Sequence, residues 1–446
     1  MASITHALRQ IKADLGSVLS EEHIAQVCRE AGHSWRSRLL DPIVTIQVFI
    51  LQVLHGNTAM TNLPRLVGRR FTAAAYCLAR QRLPLAVLQT LVRQVVARLQ
   101  HTNDAEQRWR GHRTFFVDGS SCSMPDTAEL RQHFGQPSGQ KPGCGFPAAH
   151  LLALCHAGSG AIIDLLVSSW RIHDQTRVGE LHPHLRSGDV LVADRGFCSY
   201  AHLALLFMRK VHAVFRVHHR IIVDFRPHRP YAKGRHGKGR PRSRWLASLG
   251  RLDQLVLWHK PAQPPRNMSA EVFATLPACL VLRELRYRVG RRGFRTRQVT
   301  LVTTLLNPER YPAEALADLY GARWQIEVNF RHLKQTLGMD VLKSKTFDGV
   351  RKELLVFALV YNLVCQVQCE RAAELGVTVA RVSFVDALRA LAWASCGQAA
   401  TEVLVNPHRP GRVEPRVRKR RSKEYPLMTK PRRELRKHLL DKDLAA

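Results

Sequence analysis

The sequence predicts an α/β protein, on three observations. The first hundred residues carry helical patterning. From Arg113 short β-like runs alternate with helical stretches. A strongly cationic, β-rich segment then precedes a return to helix.

The helical start is read from its caps. Ser20-Glu21-Glu22 places a hydroxyl before two acids, and Asp41-Pro42 places a carboxylate cap before a proline at the first helical position. Ile43 to Leu54 is strongly apolar, too short for a membrane and suited to a buried helix. A third helix is expected after Pro84, through Val87, Leu88, Leu91, Val95 and Val96. Residues 1–110 are therefore expected to form a helical N-terminal region suited to DNA, although no residue marks a recognition helix.

Thr114-Phe115-Phe116-Val117 reads as a strand ending at Asp118-Gly119-Ser120. His150 to His156 and Ala161 to Val167 are two more, joined by the turn Gly158-Ser159-Gly160. A helical stretch at Val178 to Leu185 leads to the strand Val190-Leu191-Val192-Ala193, which ends at Asp194-Arg195-Gly196. A helix at Tyr200 to Lys210 and a strand at Ala213 to Val217 complete the run.

Residues 218–299 read as a β-rich insertion with a cationic surface. Nine Lys or Arg and no acid lie between Arg226 and Arg251, and seven arginines with one glutamate between Arg283 and Arg297. Leu255 to Trp258 and Val281 to Val289 are its β-like runs, and Gln298 to Leu306 returns to the core. Pro312 to Tyr320, Arg323 to Leu337 and Glu353 to Val367 are expected as helices. Gly411 to Ala446 holds thirteen Lys or Arg against five acids and reads as a basic extension that orders on DNA.

The chain has 446 residues, 45% of them apolar, with 68 basic and 35 acidic side chains and a net charge of +33. That surplus makes polyanions the natural counterweight, and the ordinary apolar fraction argues against a disordered basic tail protein. Its ten cysteines include no CxxC pair, so a zinc ribbon is not expected, and Cys365 with Cys369 reads as core packing. Met1 to Lys12 lacks a signal peptide's apolar core and no run is long enough for a membrane span, so a reduced, cytoplasmic protein with no membrane partner is expected.

The densest chemistry lies in Tyr320, Arg323, Glu327 and Lys334, spaced 3, 4 and 7 apart. On a regular helix all four fall within roughly a 60° arc, where they could hold an anion beside a metal or form a solvated face with an Arg–Glu pair. Asp118 and Asp194 each follow an apolar strand. With Glu327 they make a hard-oxygen set suited to two divalent cations, Mg²⁺ above all. Arg323 and Lys334 would then neutralise neighbouring phosphates. Asp174 reads as a helix N-cap and Trp324 as a core or interface aromatic. His218 and His219 would point to opposite faces of a strand.

Tyr320-x2-Arg323-x3-Glu327-x6-Lys334 resembles the signature of IS4-family insertion-sequence transposases of the DDE type. Val117-Asp118-Gly119-Ser120 and Ala193-Asp194-Arg195-Gly196-Phe197 are similar to that family's two aspartate motifs. Similarity extends to Tyr76-Cys77-x-Ala79-Arg80-x-Arg82-Leu83-Pro84 and to the tail from Glu414-Pro415-Arg416 to Pro426. The resemblance implies an RNase H-like mixed-sheet core over 111–375, interrupted by the insertion and followed by a C-terminal helical region and basic tail over 376–446. It implies Asp118, Asp194 and Glu327 as catalytic metal ligands for two Mg²⁺ ions, with Mn²⁺ able to substitute. Tyr320, Arg323 and Lys334 would bind DNA. The implied reaction is cleavage at inverted-repeat ends and joining of the 3′-hydroxyl to target DNA, by a homodimer in a bacterial, nucleoid-associated setting. Relatives that form a hairpin stack a flipped base on an aromatic, for which Phe294, Tyr287 and Trp258 are candidates. A DNA-binding protein without activity and a nuclease that cuts without joining are the competing readings.

Overall fold

The computed structural model describes residues 18–102, 108–137, 141, 144–231, 240–289, 298–398, 402–407 and 428–443. Among the described residues five α-helices come first: α1 (Glu21–Glu30), α2 (Pro42–Leu54), α3 (Leu63–Val67), α4 (Ala73–Arg82) and α5 (Leu85–Thr102). They lead into β1 (Thr114–Ser123), α6 (Ala128–Phe134), β2 (Ala148–His156), β3 (Ile162–Ser169), α7 (Asp174–Arg177), β4 (Val190–Ala193), α8 (Tyr200–Met208) and β5 (His212–Arg216). Next come β6 (Arg242–Gly250), β7 (Asp253–His259), α9 (Ala270–Thr275), β8 (Cys279–Arg288) and β9 (Gln298–Thr303). Helices α10 (Ala313–Ala322), α11 (Gln325–Arg331), α12 (Phe347–Glu374), α13 (Phe384–Ser395) and α14 (Arg432–Asp443) follow.

The two expected N-caps form: the Ser20 hydroxyl accepts from the His23 amide at 3.2 Å and the Asp41 carboxylate from that of Val44 at 2.8 Å. The segment expected as helix at Val178 to Leu185 is instead 3₁₀ over Val178–His184, with Pro183 inside it. His173, not Asp174, caps α7: its ring nitrogen accepts from the Gln175 amide at 3.3 Å. The tail expected to order on DNA contains α14, while its densest basic run, Arg418 to Arg421, lies outside the described residues.

The nine strands of the described residues form one mixed sheet in the order β3-β2-β1-β4-β5-β9-β8-β7-β6. β1, β4 and β5 are mutually parallel, and every other neighbouring pair is antiparallel. β1 does not stop at Val117 as its apolar run suggests. Pairing with β2 carries it on from Asp118↔Ala153 to Ser123↔Ala148, after the β4 ladder has ended at Val117↔Ala193. The Arg113 guanidinium fixes the start of that ladder by donating to both Asp189 oxygens at 2.9 and 2.6 Å.

Helix α12 crosses the core and packs on α2, α5, α13 and β3. Its Asn362 side chain accepts from the Ile162 amide and donates to the Ile162 carbonyl, both at 2.9 Å, so a helix covers part of the β3 edge. The Tyr76–Pro84 motif joins the first helices to this core. Tyr76 is buried and donates to Gln52 at 3.1 Å, and Arg80 lies 3.7 Å from the Phe49 ring centre. The Lys352 ammonium donates to the carbonyls of Arg80 and Gln81 at the end of α4. Cys365 and Cys369 are buried, as expected of core residues.

The β6–β8 segment is less uniformly cationic at its surface than its composition suggests. Arg283 is buried and paired with Asp253. Buried Glu284 accepts from the Trp258 indole and from Gln254, each at 2.8 Å. Residues 232–239 and 290–297, which carry seven of the basic side chains, lie outside the described residues, and part of the expected arm is strand β6. Among the described residues no helix is long and apolar enough to cross a membrane.

Candidate active site

Parallel pairing brings the two motif aspartates together. Val117 pairs with Ala193 and Ala193 with Phe215, so the next row across the three strands is Asp118, Asp194 and Arg216. Paired positions share a sheet face, so these side chains project together where the carboxyl ends open.

The signature residues approach this row on a broken helix. Between α10 and α11 the chain turns through i→i+3 bonds, from the Arg323 amide to the Tyr320 carbonyl and from the Glu327 amide to the Trp324 carbonyl. After α11 it widens into a π turn over His332–Thr336. The single regular helix face expected for all four residues is therefore not formed. Instead the Tyr320 hydroxyl donates to Asp194 Oδ1 at 2.9 Å. The buried Arg323 guanidinium donates from Nη1 to Asp118 Oδ2 at 2.9 Å and from Nη2 to Glu327 Oε1 at 3.3 Å. Lys334, in the π turn, pairs with Asp340 at 3.1 Å and touches none of the three carboxylates.

Electrostatics distinguish the acids. Burial pushes the Asp118 pKa up, against the opposing pull of Arg323 and the Gly119 amide. Burial, with the charges of Asp118 and Asp194, likewise raises Glu327 despite Arg323. Burial would also raise Asp194, but the Arg195 amide, the Tyr320 hydroxyl and the charges of Arg323 and Arg216 hold it below its usual value. Tyr320 is held firmly protonated by burial and by Asp194, which suits a donor. Among the described residues no three His, Cys, Asp or Glu side chains gather to form a metal cluster. The Arg323 guanidinium lies between Asp118 and Glu327.

Arg216 was not singled out in the sequence. Its signal was positional, since it follows Ala213-Val214-Phe215 as Asp194 follows Val190 to Ala193. A second missed feature lies behind the Asp194 loop. The buried rings of His182 and His202 stack with Nε2 atoms 3.1 Å apart, and His202 Nδ1 bonds the Phe197 carbonyl at 2.9 Å. Burial pushes these imidazoles down to about 3 and about 4, so both stay neutral and position the loop.

Other candidates fall elsewhere. Trp324 is exposed on the surface, not a core aromatic. Trp258 is fully buried and bonded to Glu284, so it offers no face for a base. Tyr287 is half-buried on β8, and Phe294 lies outside the described residues. His218 and His219 follow β5 with rings stacked at 4.3 Å, not on opposite strand faces.

Asp174 presses on the back of the motif: a Cβ on Gly119 would lie 2.2 Å from Asp174 Oδ2. Gly119→Ala is expected to cost about 1–3 kcal/mol by overpacking, read from urea unfolding. Gly119→Ala with Asp174→Ala should recover most of that loss, and no recovery would show that the contact does not set the requirement for glycine.

Residues 109–363 match the family model for the transposase DDE domain, a span that contains Asp118, Asp194 and Glu327. The chain is 25% identical over 454 aligned positions to the transposase InsG of insertion sequence element IS4 from Escherichia coli strain K12, covering 95% of this chain and 96% of that one. It is 47% identical over 45 residues to the transposase of insertion sequence element IS421 from Escherichia coli, covering 10% of this chain and 12% of that one. Among solved structures, a piggyBac transposase synaptic complex with hairpin DNA aligns with 89% of this chain and 80% of its own. The TM-score is 0.41 at 11% identity, too distant a likeness to bear on the fold. With a DDE-domain match across more than half its length and a full-length relative from IS4, the chain belongs to the transposase DDE domain family and is an IS4-family DNA transposase.

Proposed function

We propose that this transposase cuts and joins DNA at a site made by Asp118, Asp194 and Glu327, with Tyr320, Arg323 and Lys334 holding phosphates of the transposon end. The observation that carries the reading is the joining of the three carboxylates through signature residues: Arg323 contacts Asp118 and Glu327, and Tyr320 contacts Asp194. DDE transposases act on DNA with divalent metal ions. The donor set fits such ions in chemistry: three hard carboxylates, two of them pushed up by burial and so in need of positive charge. We assign the cofactor as two Mg²⁺ ions, replaceable by Mn²⁺. When bound they would activate the attacking oxygen and stabilise the leaving oxygen of a phosphodiester.

The chain's own residues do the rest. The parallel register ends at Val117 with Ala193, which supports Asp118 and Asp194 as neighbours one residue on. Glu327 enters from α11. Arg216, in the same row, adds a fixed cation that favours phosphate beside Asp194. Lys334, a quarter exposed, can exchange Asp340 for a phosphate at little cost.

Strand order β3-β2-β1-β4-β5, antiparallel and then parallel, supports an RNase H-like core, with β6–β8 entering before the Glu327 helix. In this reading residues 111–375 are that core and 218–299 its insertion. Residues 1–110 are a helical DNA-binding region, of which α2, α4 and α5 pack on α12, and 376–446 are the C-terminal helical region and basic tail. Its partners are the inverted repeats and target DNA, brought together by a homodimer on the bacterial nucleoid.

The test incubates wild type and Asp118→Ala with paired end fragments of the encoding element and a supercoiled target, with Mg²⁺ or EDTA. Metal-dependent 3′ nicks and joined products, absent from the variant, are expected. Cleavage without joining would mark a nuclease, and binding without cleavage an inactive DNA-binding protein.

A further inference from the structure

Each strand aspartate is already engaged by a residue that the proposed function gives to DNA. Arg323 spans Asp118 and Glu327, and Tyr320 donates to Asp194. We propose that Tyr320 and Arg323 form a latch, closed on the carboxylates in the free protein and drawn onto phosphate by the DNA end, so that metal and DNA binding are coupled. The proposal rests on the assignment of these three carboxylates as metal ligands.

Three features support it. First, the guanidinium is buried and its Nε finds no hydrogen-bond partner among the described residues. Such a donor is costly to leave unmade, and a phosphate oxygen would satisfy it together with an Nη in a fork geometry that Arg suits better than Lys.

Second, the local charges nearly balance without a metal. The Arg323 guanidinium faces Asp118, Asp194 and Glu327, and that of Arg216 faces Asp194. A divalent cation among those carboxylates would turn Arg323 from a partner into a like charge beside it. The latch then has a reason to open when metal arrives and a place to go when DNA is present. Third, the latch sits at a break in the helix. Arg323 and Trp324 lie outside both α10 and α11, in a turn of i→i+3 bonds that a small change in helical pitch would rotate.

The thermodynamic consequence is reciprocal. Whatever factor DNA contributes to metal affinity, metal contributes to DNA affinity. Removing the latch should raise metal affinity without DNA and erase most of the coupling.

The experiment is calorimetric titration of the full-length protein with Mn²⁺, for wild type, Arg323→Gln, Tyr320→Phe, Glu327→Gln and Asp118→Asn. It is repeated with a duplex of the encoding element's terminal base pairs, and thermal melts check folding. Without DNA, Arg323→Gln is expected to bind Mn²⁺ about tenfold more tightly than wild type, and Tyr320→Phe by a smaller factor. The duplex should tighten Mn²⁺ binding to wild type by a similar factor and leave Arg323→Gln nearly unchanged. Equal affinities for wild type and Arg323→Gln, with binding weakened in Glu327→Gln, would overturn the latch and leave the metal-ligand assignment standing. Mn²⁺ binding unaffected by Glu327→Gln and by Asp118→Asn would overturn that assignment and the latch with it. If Arg323→Gln does not fold, Arg323→Lys, which keeps the charge and loses the fork, is expected to tighten Mn²⁺ binding severalfold, and no change would count against the latch.

Discussion

Glu327→Gln is expected to abolish strand cleavage, by on the order of 10³-fold or more, while end binding stays intact or tightens slightly. The substitution is nearly isosteric, and its amide oxygen can still accept from Arg323 Nη2, now 3.3 Å from Oε1. What it removes is the negative charge a divalent cation would need. No phosphate contact is lost, so the salt dependence of binding should keep its slope. Glu327→Ala is the harsher variant, because it also strips a partner from a buried guanidinium. The measurements are nicking of an end fragment in Mg²⁺ and gel-shift binding of the same fragment across a salt series. Lost binding in Glu327→Gln, or a melting temperature several degrees lower, would make Glu327 a structural residue instead.

Much of this site is legible in sequence because strands announce themselves. Phe115 to Val117 and Val190 to Ala193 are short apolar runs bounded by Asp, and such a boundary marks where a buried strand surfaces. What the runs do not carry is pairing. That β1 lies beside β4, and that β2 prolongs β1 to Ser123, depends on contacts far apart in sequence.

Arg216 was missed for a related reason: an arginine at a strand end reads as ordinary surface charge until its neighbours across the sheet are known. The sequence places the break between the two helices at Gly321-Ala322, and the structure moves it to Arg323-Trp324. Neither residue is a helix breaker, and the pattern of apolar positions continues through it. The break is a tertiary effect, in which bonds to Asp118 and Asp194 outweigh one regular turn. Trp258 misleads in the opposite direction. An aromatic in a basic insertion suggests a stacking surface, yet the alternation of β7 turns it inward, where Glu284 takes its N–H.

Asp189→Ala should be the most destabilising of these substitutions, costing about 3–5 kcal/mol, and its effect should reach the site. The carboxylate is buried, accepts from Arg113 Nε and Nη2 at 2.9 and 2.6 Å, and also takes the Arg186 amide at 2.7 Å. Truncation leaves the buried Arg113 guanidinium without its counterion. The pair sits immediately before Thr114↔Val190, the first rung of the parallel ladder whose last rung sets Asp118 beside Asp194. Because strand side chains alternate, a slip of one residue there would turn one aspartate to the opposite face. The expected result is a lower urea midpoint, with cleavage lost at temperatures where the fold persists. Replacing both partners, Arg113→Met with Asp189→Leu, should recover most of the stability, since the expense lies in the unpaired charge and not in the missing bridge. A single-variant loss below about 1 kcal/mol would show that solvent reaches Arg113, and that the ladder between the two aspartates is held by its backbone bonds alone.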